Sequence, residues 1–160
     1  MKEAQRNVIK SRSRLSINLT LLGVCFSIFT FIIALKPDLL RENLLLSAQL
    51  TLAIPFIITS IFARTTLGYT KKPKIWNKYG FITFLFAYGF LINVVGILLS
   101  SLVSLRIGIL FFAANIILAL SYSYMEIKED HAKIKSRIKK DLIFILILVL
   151  GGIFPSLGFY

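Results

Sequence analysis

The chain has 160 residues, of which 57% are hydrophobic and 16% charged, with a formal net charge of +12. Mean hydropathy is +0.82, and the charges lie in short blocks between long apolar runs. This excludes a soluble globule, whose apolar share is about 45–50%, and intrinsic disorder, which requires low hydrophobicity.

The first 14 residues carry Lys2, Arg6, Lys10, Arg12 and Arg14, with Val8 and Ile9 among them. The apolar run 15–35 follows. A helix that crosses about 30 Å of hydrocarbon needs about 20 apolar residues, so this run predicts a span. It is longer than the core of a signal peptide, and no small-residue cleavage site precedes Lys36-Pro37-Asp38, so it reads as an uncleaved anchor. Cys25 lies inside it and is the only cysteine. An intrachain disulfide is therefore excluded, and the thiol reads as a small packed hydrophobe.

The second predicted span, 44–63, contains Pro55 near its middle, where a missing N–H and a ring clash favour a kink. Arg64, Lys71, Lys72, Lys74 and Lys78 then form a basic segment, 64–78. The third span, 79–99, carries Gly89, Asn93, Gly96 and Ser100 at spacings of four, three and four. At 3.6 residues per turn these share one face, a candidate packing surface for close helix approach. The fourth span, 105–124, begins beside Arg106, which reads as a cation snorkelling to the headgroups.

In the basic segment 125–141, Ile127, His131, Ile134 and Ile138 recur at helical spacing. That predicts an amphipathic extension of the fourth span along the membrane surface. The last run, 142–159, is interrupted by Gly151, Gly152, Pro155 and Gly158. A kink or early helix end is the plainer reading of that stretch. A broken helix that binds a ligand is the sharper one.

Sixteen of the 19 basic residues fall in segments 1–14, 64–78 and 125–141, and only Lys36, Arg41 and Arg106 fall on the other side. Positive residues are retained in the cytoplasm. The expected architecture is therefore all-α: a polytopic integral membrane protein of the cell membrane and a single membrane domain. It is a five-transmembrane-helix bundle with its N-terminus cytoplasmic and its C-terminus outside. Tyr69, Trp76, Tyr79, Tyr122 and Tyr124 fall at the predicted cytoplasmic boundaries, where amphipathic rings favour the headgroup level. The same bias accounts for the pI near 10.1, so no nucleic-acid partner is expected.

Within the spans, Gln49, Asn93 and Asn115 form a candidate polar cluster, and Asn18 is a further amide. Amides facing lipid are costly, so they turn to other helices. The plain reading is interhelical hydrogen bonding, and the sharper one is the lining of an ion or substrate path. Lys71, Lys72, Lys74, Lys78, Lys139 and Lys140 are candidate contacts to anionic lipid, each contributing about 1 kcal/mol near a charged leaflet. His131 is the only histidine and lacks the convergent ligands of a metal site. The sequence carries no cofactor motif.

The acidic residues Glu3, Asp38, Glu42, Glu126, Glu129, Asp130 and Asp141 all lie outside the apolar runs. Proton- or cation-coupled carriers place such groups within the spans, and acid–base enzymes need them to converge. The leading expectation is accordingly a non-catalytic membrane subunit or scaffold that packs with itself or a larger complex, in a bilayer with anionic lipid on the cytoplasmic side. A small oligomeric channel or transporter ranks second, and an intramembrane lipid-modifying enzyme third.

Overall fold

A computed structural model describes residues 2–67, 69–70 and 72–158, with side chains from Ser13 onward except that of Lys133. The chain is all-helical, with no strand among the described residues. Its elements are α1 (Lys2–Leu35), α2 (Asp38–Glu42), α3 (Leu44–Thr66), α4 (Pro73–Leu102) and α5 (Leu105–Glu129). A 3₁₀ turn (His131–Lys133) leads into α6 (Ile134–Leu148). A π-helical segment (Val149–Ile153) and a last short turn, α7 (Phe154–Ser156), follow.

Four helical stretches are long and apolar enough to cross a membrane: Ser13–Leu35, Leu44–Thr66, Pro73–Leu102 and Leu105–Glu129. The fifth apolar run is built differently. Helix α6, which enters the run from Ile134, ends after 15 residues at Leu148, and the backbone widens into π turns through Gly151 and Gly152. Pro155 lies just beyond and has no N–H to give the preceding turn. A helix interrupted by proline commonly relaxes in this way. Helix α3, by contrast, runs through Pro55 without a break in its helical assignment.

Boundaries follow local chemistry. Pro37 disfavours helical geometry at Lys36 and closes α1 at Leu35. The Asn43 side chain caps α3 by accepting from the Leu46 N–H at 2.9 Å, and Ser104, in extended geometry, caps α5. The predicted continuation of the fourth span runs only from Met125 to Glu129. Helix α5 ends at Glu129, and Asp130 is extended with φ −148° and ψ 95°. Its carboxylate accepts from the Ala132 N–H at 3.1 Å. Aspartate competes with helical backbone and favours caps, so the chain turns there. Ile134 and Ile138 accordingly belong to the start of α6, which continues into the last apolar run.

Packing divides the chain into two compact units, Met1–Tyr88 and Gly89–Tyr160, the division falling inside the continuous helix α4. In the first, Cys25 and Ile32 of α1, Leu46, Leu50, Ala53 and Ile57 of α3, and Ala87 of α4 are buried. Phe56 stacks on Phe86 with centroids 5.6 Å apart. In the second, Leu91, Val94 and Ile97 of α4, Phe112 of α5, and Phe144 and Leu148 of α6 form the core. Large apolar side chains stay exposed along the other faces, among them Phe26 and Phe31 on α1 and Leu110, Ile117 and Leu118 on α5. Only 17% of the apolar window of α1 and 11% of that of α5 is buried. Water would disfavour such surfaces, and hydrocarbon accommodates them.

Candidate functional site

In the first unit the polar side chains form two layers, one helical turn apart. In the upper layer Arg14 of α1 donates to Asn77 Oδ1 at 2.9 Å, and Arg64 of α3 donates to the same oxygen at 2.7 Å. In the lower layer Asn18 Nδ2 donates to Ser60 Oγ at 2.9 Å, and Ser60 donates on to the Gly80 carbonyl at 2.9 Å. The steps 14 to 18 and 64 to 60 are four residues and 77 to 80 is three, so each helix contributes both layers from one face. Asn18 and Ser60 are buried, and Arg64 is only 3% exposed. Gly80 permits the approach, since a Cβ there would lie 2.9 Å from that of Ala63.

The second unit is organised around Phe112. This ring is fully buried and lies against Gly96 of α4 on one side and Gly152 of the π segment on another. The predicted small-residue face is built into this packing. Gly89 lies against Ile147, where a Cβ would be 2.7 Å from Cγ2. Asn93 donates to the Ile147 carbonyl at 3.0 Å, immediately before the π turns. Ser100 donates to the Gly96 carbonyl at 2.9 Å. A Cβ on Gly108 of α5 would lie 2.9 Å from the Gly96 carbonyl, so α4 and α5 approach backbone to backbone there.

The three amides of the predicted polar cluster have separate placements. Gln49 is buried on α3 in the first unit. Asn93 is buried in the second and bonds to α6, whereas Asn115 is half-buried and donates to the Phe111 carbonyl of its own helix at 2.9 Å. Of the predicted lipid-contacting lysines, Lys72, Lys74, Lys78 and Lys139 are exposed and Lys140 is half-buried. Lys71 lies outside the described residues.

A third polar group, absent from the sequence reading, joins α5 to α6. Arg137 pairs with Glu126 at 2.8 Å, donates from Nε to Ser123 Oγ at 2.8 Å, and lies 3.8 Å from Asp141. Ser123 donates to Asp141 Oδ1 at 2.8 Å, and the guanidinium sits 4.6 Å above the Tyr122 ring centroid. The Arg137 side chain is 15% exposed, so it is a half-buried tie rather than a solvated cation. The spacing Arg137–Asp141 (i, i+4) was the available signal. Its partners on α5 depend on the turn at Asp130.

Comparison with protein-family models, with curated proteins and with solved structures finds none that matches this chain.

Proposed function

We propose that this chain is a multi-pass protein of the cell membrane that works as a non-catalytic subunit or scaffold, packing with itself or within a larger membrane complex. One observation carries the reading: polar side chains within the helices are turned into helix–helix ties. Asn18, Ser60 and Asn93 each bridge to a neighbouring helix, and Asn115 bonds to its own. The remaining faces of α1 and α5 are apolar and exposed. They suit lipid and the helices of other membrane proteins.

We place five spans across the bilayer, with the N-terminus cytoplasmic and the C-terminus outside. Charge asymmetry supports this: three segments hold sixteen of the 19 basic residues. Helix continues from Ile134 through Ser156 despite the π turns. Snorkelling of Lys139 and Lys140 lengthens the hydrophobic reach of that last segment.

Affinity purification of the full chain from membranes in mild detergent, with crosslinking before extraction, tests the subunit reading. The expected result is a crosslinked species larger than the monomer, formed through α1 or α5. A chain that stays monomeric before and after crosslinking, and that conducts ions when reconstituted in liposomes, refutes it in favour of a channel.

A further inference from the structure

The π turns of the second unit contain a place that only glycine fits. A Cβ on Gly152 would lie 2.5 Å from both Phe112 Cζ and Asn93 Oδ1, closer than side-chain carbons pack. Gly151, immediately before it, is the other glycine of the π segment Val149–Ile153. Along the last run the buried residues are Phe144, Leu148, Gly152 and Pro155. A π turn bonds i to i+5 where an α turn bonds i to i+4, so it takes up one residue more. Without that extra residue every position beyond it advances by one place, a rotation of about 100°. Gly151 then comes to the place of Gly152 against Phe112, and it too has no Cβ. Adjacent glycines thus admit two registers at a point where a larger residue would block one of them.

We propose that the last segment is a two-register element, π-wound as described and α-wound after a one-residue shift, and that the Asn93 amide is the latch that selects the π register. Asn93 Nδ2 donates to the Ile147 carbonyl at 3.0 Å, in the last turn before the winding changes. Pro155 favours the same register, because in an α-helix its ring meets the carbonyl four residues back. One group opposes them. Ser156 Oγ is buried and has no hydrogen-bond partner, a cost comparable with what a single hydrogen bond contributes. The shift moves Ser156 to the place of Leu157, which is 46% exposed. It also turns Phe154, 44% exposed, towards the buried place of Pro155. The two registers therefore lie close enough in energy for one bond to choose between them, and the surface offered to lipid or to a neighbouring helix changes with the choice. Both registers concern packing within the second unit alone and stand independently of the subunit reading above.

Thiol reactivity reads the register. In the full chain carrying Cys25→Ala, Ser156→Cys places the only thiol where the hydroxyl is buried, and a water-soluble maleimide is expected to label it slowly in mild-detergent micelles. Asn93→Leu removes the latch and is expected to raise the rate about five- to tenfold, the population shift that loss of one hydrogen bond produces. Gly152→Ala excludes the π register and is expected to fold, with labelling faster by about tenfold or more. Gly151→Ala excludes the α register, so it should leave the slow rate unchanged alone and abolish the acceleration when added to Asn93→Leu. The Gly151→Ala/Gly152→Ala pair leaves neither register and should unfold at lower temperature than either single variant. Acceleration in Asn93→Leu that Gly151→Ala does not suppress reports local unfolding and overturns the switch. A Gly152→Ala chain that fails to fold, or that labels no faster than its parent, overturns it too. Should Asn93→Leu fail to fold, Gly152→Ala decides.

Discussion

Replacing Gly96 with alanine adds one methyl group at the tightest point of the second unit. Its Cβ would lie 2.6 Å from both Cε atoms of Phe112 and nearer still to Cζ, where ordinary contact begins near 3.4 Å. The ring would have to retreat by more than an ångström at Cζ, and Gly152 and the Asn93 amide limit its retreat. Overpacking of this kind costs about 1–3 kcal/mol, whereas alanine gains at most about 1 kcal/mol over glycine in helix propensity. The sterics win, and Gly96→Ala is expected to destabilise by about 1–2 kcal/mol. Gly23 on α1 supplies the internal control, because nothing lies within 4 Å of a Cβ built there. Gly23→Ala should be neutral or stabilising by a few tenths of a kcal/mol to about 1 kcal/mol. Reversible unfolding in detergent micelles titrated with a denaturing surfactant, followed by circular dichroism, measures both. Combining Gly96→Ala with Phe112→Leu should recover part of the loss through a favourable coupling energy. Equal stability of the two alanine variants would refute the packing described around Phe112.

Ser60→Ala breaks the relay from Asn18 to the Gly80 carbonyl and should cost about 1 kcal/mol in the same unfolding assay; adding Asn18→Leu should return most of it, since no amide is then left unsatisfied. Arg137→Gln leaves Glu126 and Asp141 without their cation and should cost roughly 2–3 kcal/mol, with faster proteolysis at the turn around Asp130. Reporter fusions at the two ends should report opposite compartments, the N-terminal one cytoplasmic; the same compartment for both would refute the five-span reading.

The helical nature of the chain and four of its long apolar helices were legible because hydrocarbon imposes one rule: backbone polar groups must be satisfied within the segment. Apolar length therefore decides, and side-chain detail hardly enters. Helical spacing alone places Gly89, Asn93, Gly96 and Ser100 on one face. What that face packs against was not legible. Ile147 and Phe112 lie on two later helices, and Phe112 is one of 14 phenylalanines with nothing in the sequence to mark it. The last apolar run was legible in composition, and Gly151, Gly152 and Pro155 marked where its α-helix becomes irregular; that the irregularity takes the form of π turns was not legible.

The cations show most sharply where sequence reading stops. Counted along the chain, Arg14, Arg64 and Arg137 are three equal votes for orientation. In the fold two of them differ from the lysines counted with them. Lys72, Lys74, Lys78 and Lys139 are exposed, as is Arg14, whereas Arg64 is buried and Arg137 half-buried. Guanidinium is more weakly hydrated than ammonium and makes several directional bonds at once, so it tolerates partial burial that lysine resists. Each of these arginines ties helix ends together: Arg14 and Arg64 through one amide oxygen, Arg137 through two carboxylates and a hydroxyl. The two ties differ in the acceptors that the arginines share. Arg137 meets two carboxylates and a hydroxyl. Arg14 and Arg64 both donate to the neutral Asn77 Oδ1.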